Sequence, residues 1–415
     1  MGTDRLQSLD VLRGVAILGT LGTNIWIFTD PQGGAGFMAL PSTDSVDGWV
    51  EVLLRSLSNG KFLALLSILF GVGLELQYRS ARKRGARWPG WYLWRSALLL
   101  FEGTVHYVLI FEFDVLMYYA IVSVVVAYLI GRKRRVIHGW MIWQGLSLVA
   151  GVIGLSMLLA AGPGMGGGGQ RAATWLGQVN ERLVLAGVYR AEAVLVIPLS
   201  ITLFLLGSRL LRAGALENSP RGRIVQRRMI WIGFGIGLPI DLFAAWSGPQ
   251  WFLVARYLAA PIVAVGLLGL ITSLVHRMRE EPGPVRRGLT AVGRMAMSSY
   301  ILQNLVASVL CYSWGFGLAV TLQDSRPWWV IGAFAGISAV FVVFAVLWMR
   351  RFSRGPVELV WQWAYQAPQR RKRSAAPVPE PRTPVEIEPA NRGDEAAEAP
   401  KADDRPRRRS SSRGR

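Results

Sequence analysis

The chain has a single cysteine, Cys311, in 415 residues. That excludes an intramolecular disulfide and a cysteine-built metal site. Histidine is nearly as scarce, with three copies, and His138 and His276 lie beside arginines at the ends of apolar runs, leaving His106 inside one. No metal is expected. Charged residues make up 17% of the chain, against about 25% in soluble domains. Acidic residues are the rarer sign, 26 against 46 Lys and Arg, for a net charge of +20. The run GPGMGGGGQ lacks the Lys-Ser/Thr of a phosphate loop and reads as a flexible connector.

Hydrophobic residues, by contrast, make up 52% of the chain, and many windows of about 20 residues are almost free of charge, the length that crosses a bilayer. Ten candidate spans fall near 11–29, 60–78, 93–111, 114–131, 139–161, 193–211, 229–247, 251–275, 294–317 and 328–349. The first run is too long for a signal peptide and has no small-residue cleavage site, so it reads as a first span. RSARKRGARW, GRKRR, RAGALENSPRGRIVQRR, HRMREEPGPVRR and RRFSRGP then fall on one side, while PSTDSVD, the EFD turn, the glycine loop, SGPQ and TLQDSRP fall on the other. Basic loops mark the cytoplasmic face, so both termini are expected there. The basic excess follows from this placement, and no nucleic acid partner is expected.

The expected fold is an all-α polytopic membrane protein. A bundle of about ten transmembrane helices covers residues 1–365, and residues 366–415 form a disordered cytoplasmic tail rich in Pro, Ala, Arg and Glu. The lipid bilayer is its first partner. A composition rich in Arg, Ala, Gly and Pro suggests a bacterium and hence its inner, cytoplasmic membrane. ATWLGQVNERLVLAGV, after the glycine run, suits a short surface helix.

Ionisable groups in hydrocarbon are costly and face a partner, a cavity or a pathway. EGTVHYVLIFEFDVLMYYA joins spans three and four with almost no loop. His106 lies about five residues before the turn and Tyr119 about five after it, so they are level at about 1.5 Å per residue. Glu102 precedes His106 by one helical turn and shares its face. Asp114 has the plainer reading of a helix cap, Tyr119 that of an interfacial tyrosine, and Arg13 that of a snorkelling edge residue. Arg13 and Asn24 return to one face of span one, about 16 Å apart along the axis. Asp241 and Arg256, each about six residues from the SGPQ turn, are level and expected to form a structural ion pair. Arg294, Ser298, Ser299, Gln303 and Asn304 form a polar stripe in span nine.

Five stretches in order resemble the YeiB family, whose C-terminal half is catalogued as domain of unknown function 418. They are RLQSLDVLRGVAILGTLGTNIWIF, KFLALLSILFGVGLELQYRSARKRG, GTVHYVLIFEFDVLMYYA, VGRMAMSSYILQNLV and WMRRFSRGPVELVWQWAY. The resemblance places Arg13, His106, Asp114, Tyr119, Arg294, Tyr300, Gln303, Gly355, Pro356 and Glu358 at family positions. Glu102 departs from it, standing where the family usually has an apolar residue, as do Ser299 and Gln362.

The family is grouped with membrane acyltransferases that include heparan-glucosaminide N-acetyltransferase. The resemblance therefore implies transfer of an acyl group from cytoplasmic acyl-CoA, as co-substrate, to a hydroxyl or amine of an envelope glycan or lipid. His106 would be the base, with Glu102, Asp114 and Tyr119 beside it and Asn24 or Tyr119 stabilising the oxyanion. Arg13, Arg95 and Arg294 would hold the donor phosphates, and Gln303 would line the substrate path. Paired intramembrane charges equally suit a proton-coupled transporter of a small organic or lipid-like solute, though no internal repeat is evident. A scaffold without turnover is the third reading.

Overall fold

The apolar runs of the sequence fold as helices. The computed structural model describes residues 3–39, 41, 43–161, 171–278 and 281–374. Among them the principal helices are α1 (Thr3–Phe28), α2 (Val46–Ser58), α3 (Lys61–Lys83), α4 (Trp91–Leu109), α5 (Leu116–Leu129), α6 (Arg134–Ala161), α7 (Trp175–Val184) and α8 (Ala193–Ala213). There follow α9 (Pro220–Trp246), α10 (Pro249–Arg277), α11 (Pro284–Arg294), α12 (Ala296–Cys311), α13 (Trp328–Arg351) and α14 (Pro356–Ser374). The described residues contain no strand.

Seven segments are long and apolar enough to cross a bilayer: α1, α2 running into α3, α6, the stretch ending in α8, α9, α10 and α13. The other three expected spans are α4, α5 and α12. Helix α5 has 14 residues and α12 has 16, so they rise about 21 and 24 Å, less than the hydrocarbon thickness of about 30 Å. Helix α4 carries Arg95 and Glu102. Two of these three imperfect spans carry His106 (α4) and Tyr300 and Asn304 (α12).

Lipid offers no hydrophobic drive between helices, so close contact depends on small residues. Helices α3 and α8 cross at Gly71 and Gly207. A Cβ on Gly71 would lie 2.1 Å from the Phe204 carbonyl oxygen, and one on Gly207 would lie 2.1 Å from that of Ile68. Helix α1 packs on α3, α11 and α12, and α4 pairs with α5. Helices α6 and α13 stay peripheral, with apolar side chains such as Trp143, Leu146, Val340 and Val343 exposed.

Four details differ from the sequence expectation. Helix α2 precedes the second span, because Ser45 caps it, accepting from Gly48 N at 3.1 Å, and Asn59–Gly60, with Gly60 left-handed, breaks it from α3. The ninth span divides at Met295 into α11 and α12. Helices α9 and α10 each contain a wide π-type turn, over Trp231–Gly237 and Ala255–Ala259. The compact unit extends to Arg370, and α14 carries helix through Ser374, into the stretch expected to be disordered. The glycine-run connector at 162–169 and the tail from 375 lie outside the described residues. The short helix expected after the glycine run is α7, with Thr174 as its N-cap.

Candidate functional site

The site is built on the α4–α5 hairpin. Helix α4 ends where Ile110 N and Phe111 N both donate to the His106 carbonyl, at 2.9 and 3.0 Å. Helix α5 starts against the Asp114 carboxylate, whose Oδ2 accepts from Leu116 N at 2.9 Å and Met117 N at 3.4 Å. The turn is tight because Gly103 faces the start of α5: a Cβ there would lie 2.6 Å from Met117 N.

Asp114 thus does more than cap. Its Oδ1 lies 2.9 Å from His106 Nδ1 and accepts from the Tyr300 hydroxyl at 3.3 Å. On the other side of the imidazole, Asn304 Nδ2 lies 3.4 Å from His106 Nε2. Asn304 Oδ1 in turn accepts from Asn24 Nδ2 at 3.2 Å. The bonds run in one direction, from Asn24 to Asn304 to His106 to Asp114. A proton on Nδ1 then faces the carboxylate, and the Nε2 lone pair faces the Asn304 amide. His106, Asp114, Tyr300 and Asn304 are all buried.

The structure brings together His106, Asp114 and Asn24 but disperses the other expected members. Glu102 does not reach His106. Its buried carboxyl lies beside the Trp361 indole, within reach of a hydrogen bond from it but not in good hydrogen-bond geometry. Tyr119 is turned away, to Ser67 Oγ at 2.7 Å and the Leu63 carbonyl at 3.0 Å. Counting residues from the turn carries no information on direction around the helix. Gln303 donates to the Ile17 carbonyl at 3.2 Å.

At the opposite ends of these helices, Arg13 meets Asp10 at 3.7 Å. Arg95 donates to Gln77 Oε1 at 3.0 Å, with its guanidinium 5.0 Å from the Trp361 ring centroid. Arg294 donates to the Ser353 carbonyl at 3.2 Å. Glu358 accepts from Met297 N at 2.9 Å and Ser298 N at 3.2 Å, which fixes the start of the helix that carries Tyr300 and Asn304.

The expected Asp241–Arg256 pair does not form. Asp241 pairs with Lys61 at 2.6 Å, and Arg256 pairs with Glu192 at 3.4 Å and Asn59 at 2.8 Å. Residue counting does not set the face of the helix on which each group lies. The π-type turns in α9 and α10 insert residues and turn the following faces.

Sequence reading also missed the cover over the hairpin. Arg171 Nη2 lies 2.8 Å from Glu112 Oε1, and Arg182 Nε lies 3.5 Å from Glu112 Oε2. Arg182 donates to the Val108 and Ile110 carbonyls at 3.1 and 3.0 Å. Arg190 donates to the Asp114 carbonyl at 3.0 Å and also bonds the Glu112 carbonyl. Burial pushes the Glu112 carboxyl up, but Arg171 and Arg182 outweigh it and hold it below the usual carboxylate range. The available signal was three arginines in a segment assigned to the side where basic residues should be few. The signal for Tyr300 and Asn304 was their i, i+4 spacing. Among the described residues no His, Cys, Asp and Glu cluster could hold a metal.

The family description "Protein of unknown function (DUF418)" matches residues 210–367, which include Tyr300, Asn304 and Glu358. Asn24, His106 and Asp114 come from the other half, so the network joins the two. The chain is 27% identical over 398 residues to the uncharacterized protein YeiB of Escherichia coli, covering 86% of this chain and 96% of that one. It is 25% identical over 393 residues to the uncharacterized protein YxaH of Bacillus subtilis, covering 87% and 94%. The domain match, the relatives aligned over nearly their whole length and the five motifs in order together support a YeiB-family protein with the domain of unknown function 418.

Proposed function

We propose that the protein transfers an acyl group from cytoplasmic acyl-CoA, through the bundle, to a hydroxyl or amine on the extracytoplasmic side. The observation that carries this reading is His106, held at Nδ1 by Asp114 at 2.9 Å with Nε2 beside an amide. A buried imidazole oriented by a carboxylate is the arrangement that general-base catalysis of acyl transfer needs. His106 Nε2 takes the acceptor proton as the acceptor oxygen or nitrogen attacks the thioester carbonyl. The Asn24–Asn304 amides supply N–H donors near the developing oxyanion. The C–S bond then breaks, and the imidazolium returns the proton to the leaving thiolate.

Support comes from the far end of the same helices. Arg13 precedes Asn24 by eleven residues on α1, and Arg95 precedes His106 by eleven on α4. Each interval rises about 16 Å, a gap suited to an extended pantetheine arm between phosphate-binding arginines and the base. Polar atoms without partners occur on the helices in between, Ser299 Oγ and Gln303 Oε1, and Glu102 is left with little more than the Trp361 indole beside it. Native structures satisfy such groups, and the amides of a donor arm are suited to do so.

The test is mass spectrometry of envelope lipids and glycans from wild-type, deletion and His106→Gln cells, together with isolated membranes given labelled acyl-CoA. An acylated component present only in the wild type is expected. The buried Lys61–Asp241 pair is the feature that favours transport instead. Membranes that acylate nothing but accumulate a solute in a proton-dependent way would transfer the assignment to that reading.

A further inference from the structure

A cavity of about 650 Å³ adjoins the α4–α5 turn, and Glu112 and Phe113 form part of its wall. That volume is in the range of sites for drug-sized ligands. Its lining combines two chemistries. Leu155, Leu159, Leu195, Phe252 and Leu253 supply the apolar part. Leu155 and Leu159 come from peripheral α6, and at the rim Leu185 and Val188 are 40% and 70% exposed. The apolar part therefore continues into the surface that faces lipid.

The polar part holds Glu181, Tyr189, Glu192 and Tyr257. Both cations that line the cavity are already paired: Arg171 with Glu112 at 2.8 Å and Arg256 with Glu192 at 3.4 Å. Three carboxylates against two committed guanidiniums give a lining with no claim on a phosphate. Tyr189 already donates to Glu181 and Tyr257 to Glu192; the remaining carboxylate lone pairs, the tyrosine oxygens and the ring faces can still meet sugar hydroxyls and C–H faces.

We propose that this cavity binds an amphiphile with an uncharged, hydroxyl-rich head, a neutral glycolipid, with its chains leaving past Leu159 and Val188. Resting on the acyl-transfer reading above, that lipid is the acceptor, presented at the turn that holds His106 and Asp114. The anionic phospholipids of the surrounding bilayer are disfavoured, because a phosphate would meet three carboxylates and two guanidiniums already committed to them.

The full chain in nanodiscs is the test material, and a diglucosyl diacylglycerol with a diazirine in one acyl chain is the probe. No acyl donor is needed, so the outcome is independent of whether transfer occurs. Photolabelling is expected to concentrate on 155–159, 185–195 and 252–257. Unlabelled glycolipid should compete and phosphatidylglycerol should not. Glu181→Gln should weaken labelling about tenfold, the loss of one charge-assisted hydrogen bond. Val188→Trp, which touches no ion pair, should block it by filling the rim. His106→Gln should label like the wild type. Labelling spread evenly over exposed sites such as Trp143 and Leu146, or equal labelling by a phosphatidylglycerol probe, overturns the proposal. If labelling behaves as expected but envelope acylation is absent, the binding site stands and the acceptor role falls.

Discussion

Asp114 Oδ1 lies 2.9 Å from His106 Nδ1 while Oδ2 of the same carboxylate accepts from Leu116 N at 2.9 Å. One side chain therefore starts α5 and orients the imidazole. Asp114→Asn separates these two tasks. An asparagine oxygen still caps the helix, but its amide N–H now faces Nδ1 and favours the wrong imidazole tautomer. Acyl transfer should fall on the order of 10³–10⁴-fold, with extraction and elution profile unchanged. Asp114→Ala should lose cap and activity together. An Asp114→Asn protein that keeps full turnover would leave Asp114 as a cap alone.

The fold was legible because helical membrane spans leave a strong one-dimensional signal: apolar length and basic flanks. Each of the ten expected spans corresponds to a described helix. What the one-dimensional signal lacks is rotation about the helix axis. His106 and Tyr119 were expected to be level and close, yet Tyr119 faces Ser67. Asp241 and Arg256 were set level, yet face Lys61 and Glu192. His106 found its carboxylate eight residues on, across the turn, rather than at i−4 on its own helix. The hairpin partner was visible only after the turn had been folded.

The Lys61–Asp241 pair gives a stability prediction. Both side chains are almost fully buried and meet at 2.6 Å. Lys61→Met leaves an uncompensated carboxylate in the bundle and should cost about 3–5 kcal/mol, visible as lost folded protein in detergent. Lys61→Met with Asp241→Leu should recover most of the yield, since matched apolar groups can replace a buried pair. Recovery of proton-gradient-dependent function only with both charges present would instead assign the pair to coupling.

The cover over the hairpin gives a pH prediction. Arg171 and Arg182 hold the Glu112 carboxyl below the usual carboxylate range in the folded protein. Its stabilisation is then complete above about pH 4.3, the unfolded value, and is lost as pH falls through the depressed folded value. Glu112→Gln should lower the melting temperature at pH 7 and remove that part of the acid sensitivity. Parallel melting curves for wild type and variant between neutral and acid pH are the measurement. Curves separated by a constant offset at every pH would show that Glu112 ionisation is not coupled to folding.

Glu102 is the residue at which stability and function should oppose each other. Its carboxyl is buried with only the poorly aligned Trp361 indole to donate to it among the described residues, and Asp114 and Glu358 lie within electrostatic reach. An unsatisfied buried carboxyl near two others weakens the fold unless something completes it. Glu102→Leu should therefore stabilise the protein by about 1–3 kcal/mol, the desolvation cost of an unsatisfied polar group. If the carboxyl serves a donor amide, the same change should raise the KM for acyl-CoA about tenfold, one charge-assisted hydrogen bond, and leave kcat nearly unchanged, because Glu102 touches neither His106 nor Asp114. A higher melting temperature with an unaltered KM would mean that the carboxyl has no ligand. A lower melting temperature would mean that the folded protein already satisfies it, and the donor path drawn through Glu102 would have to move to another face of α4.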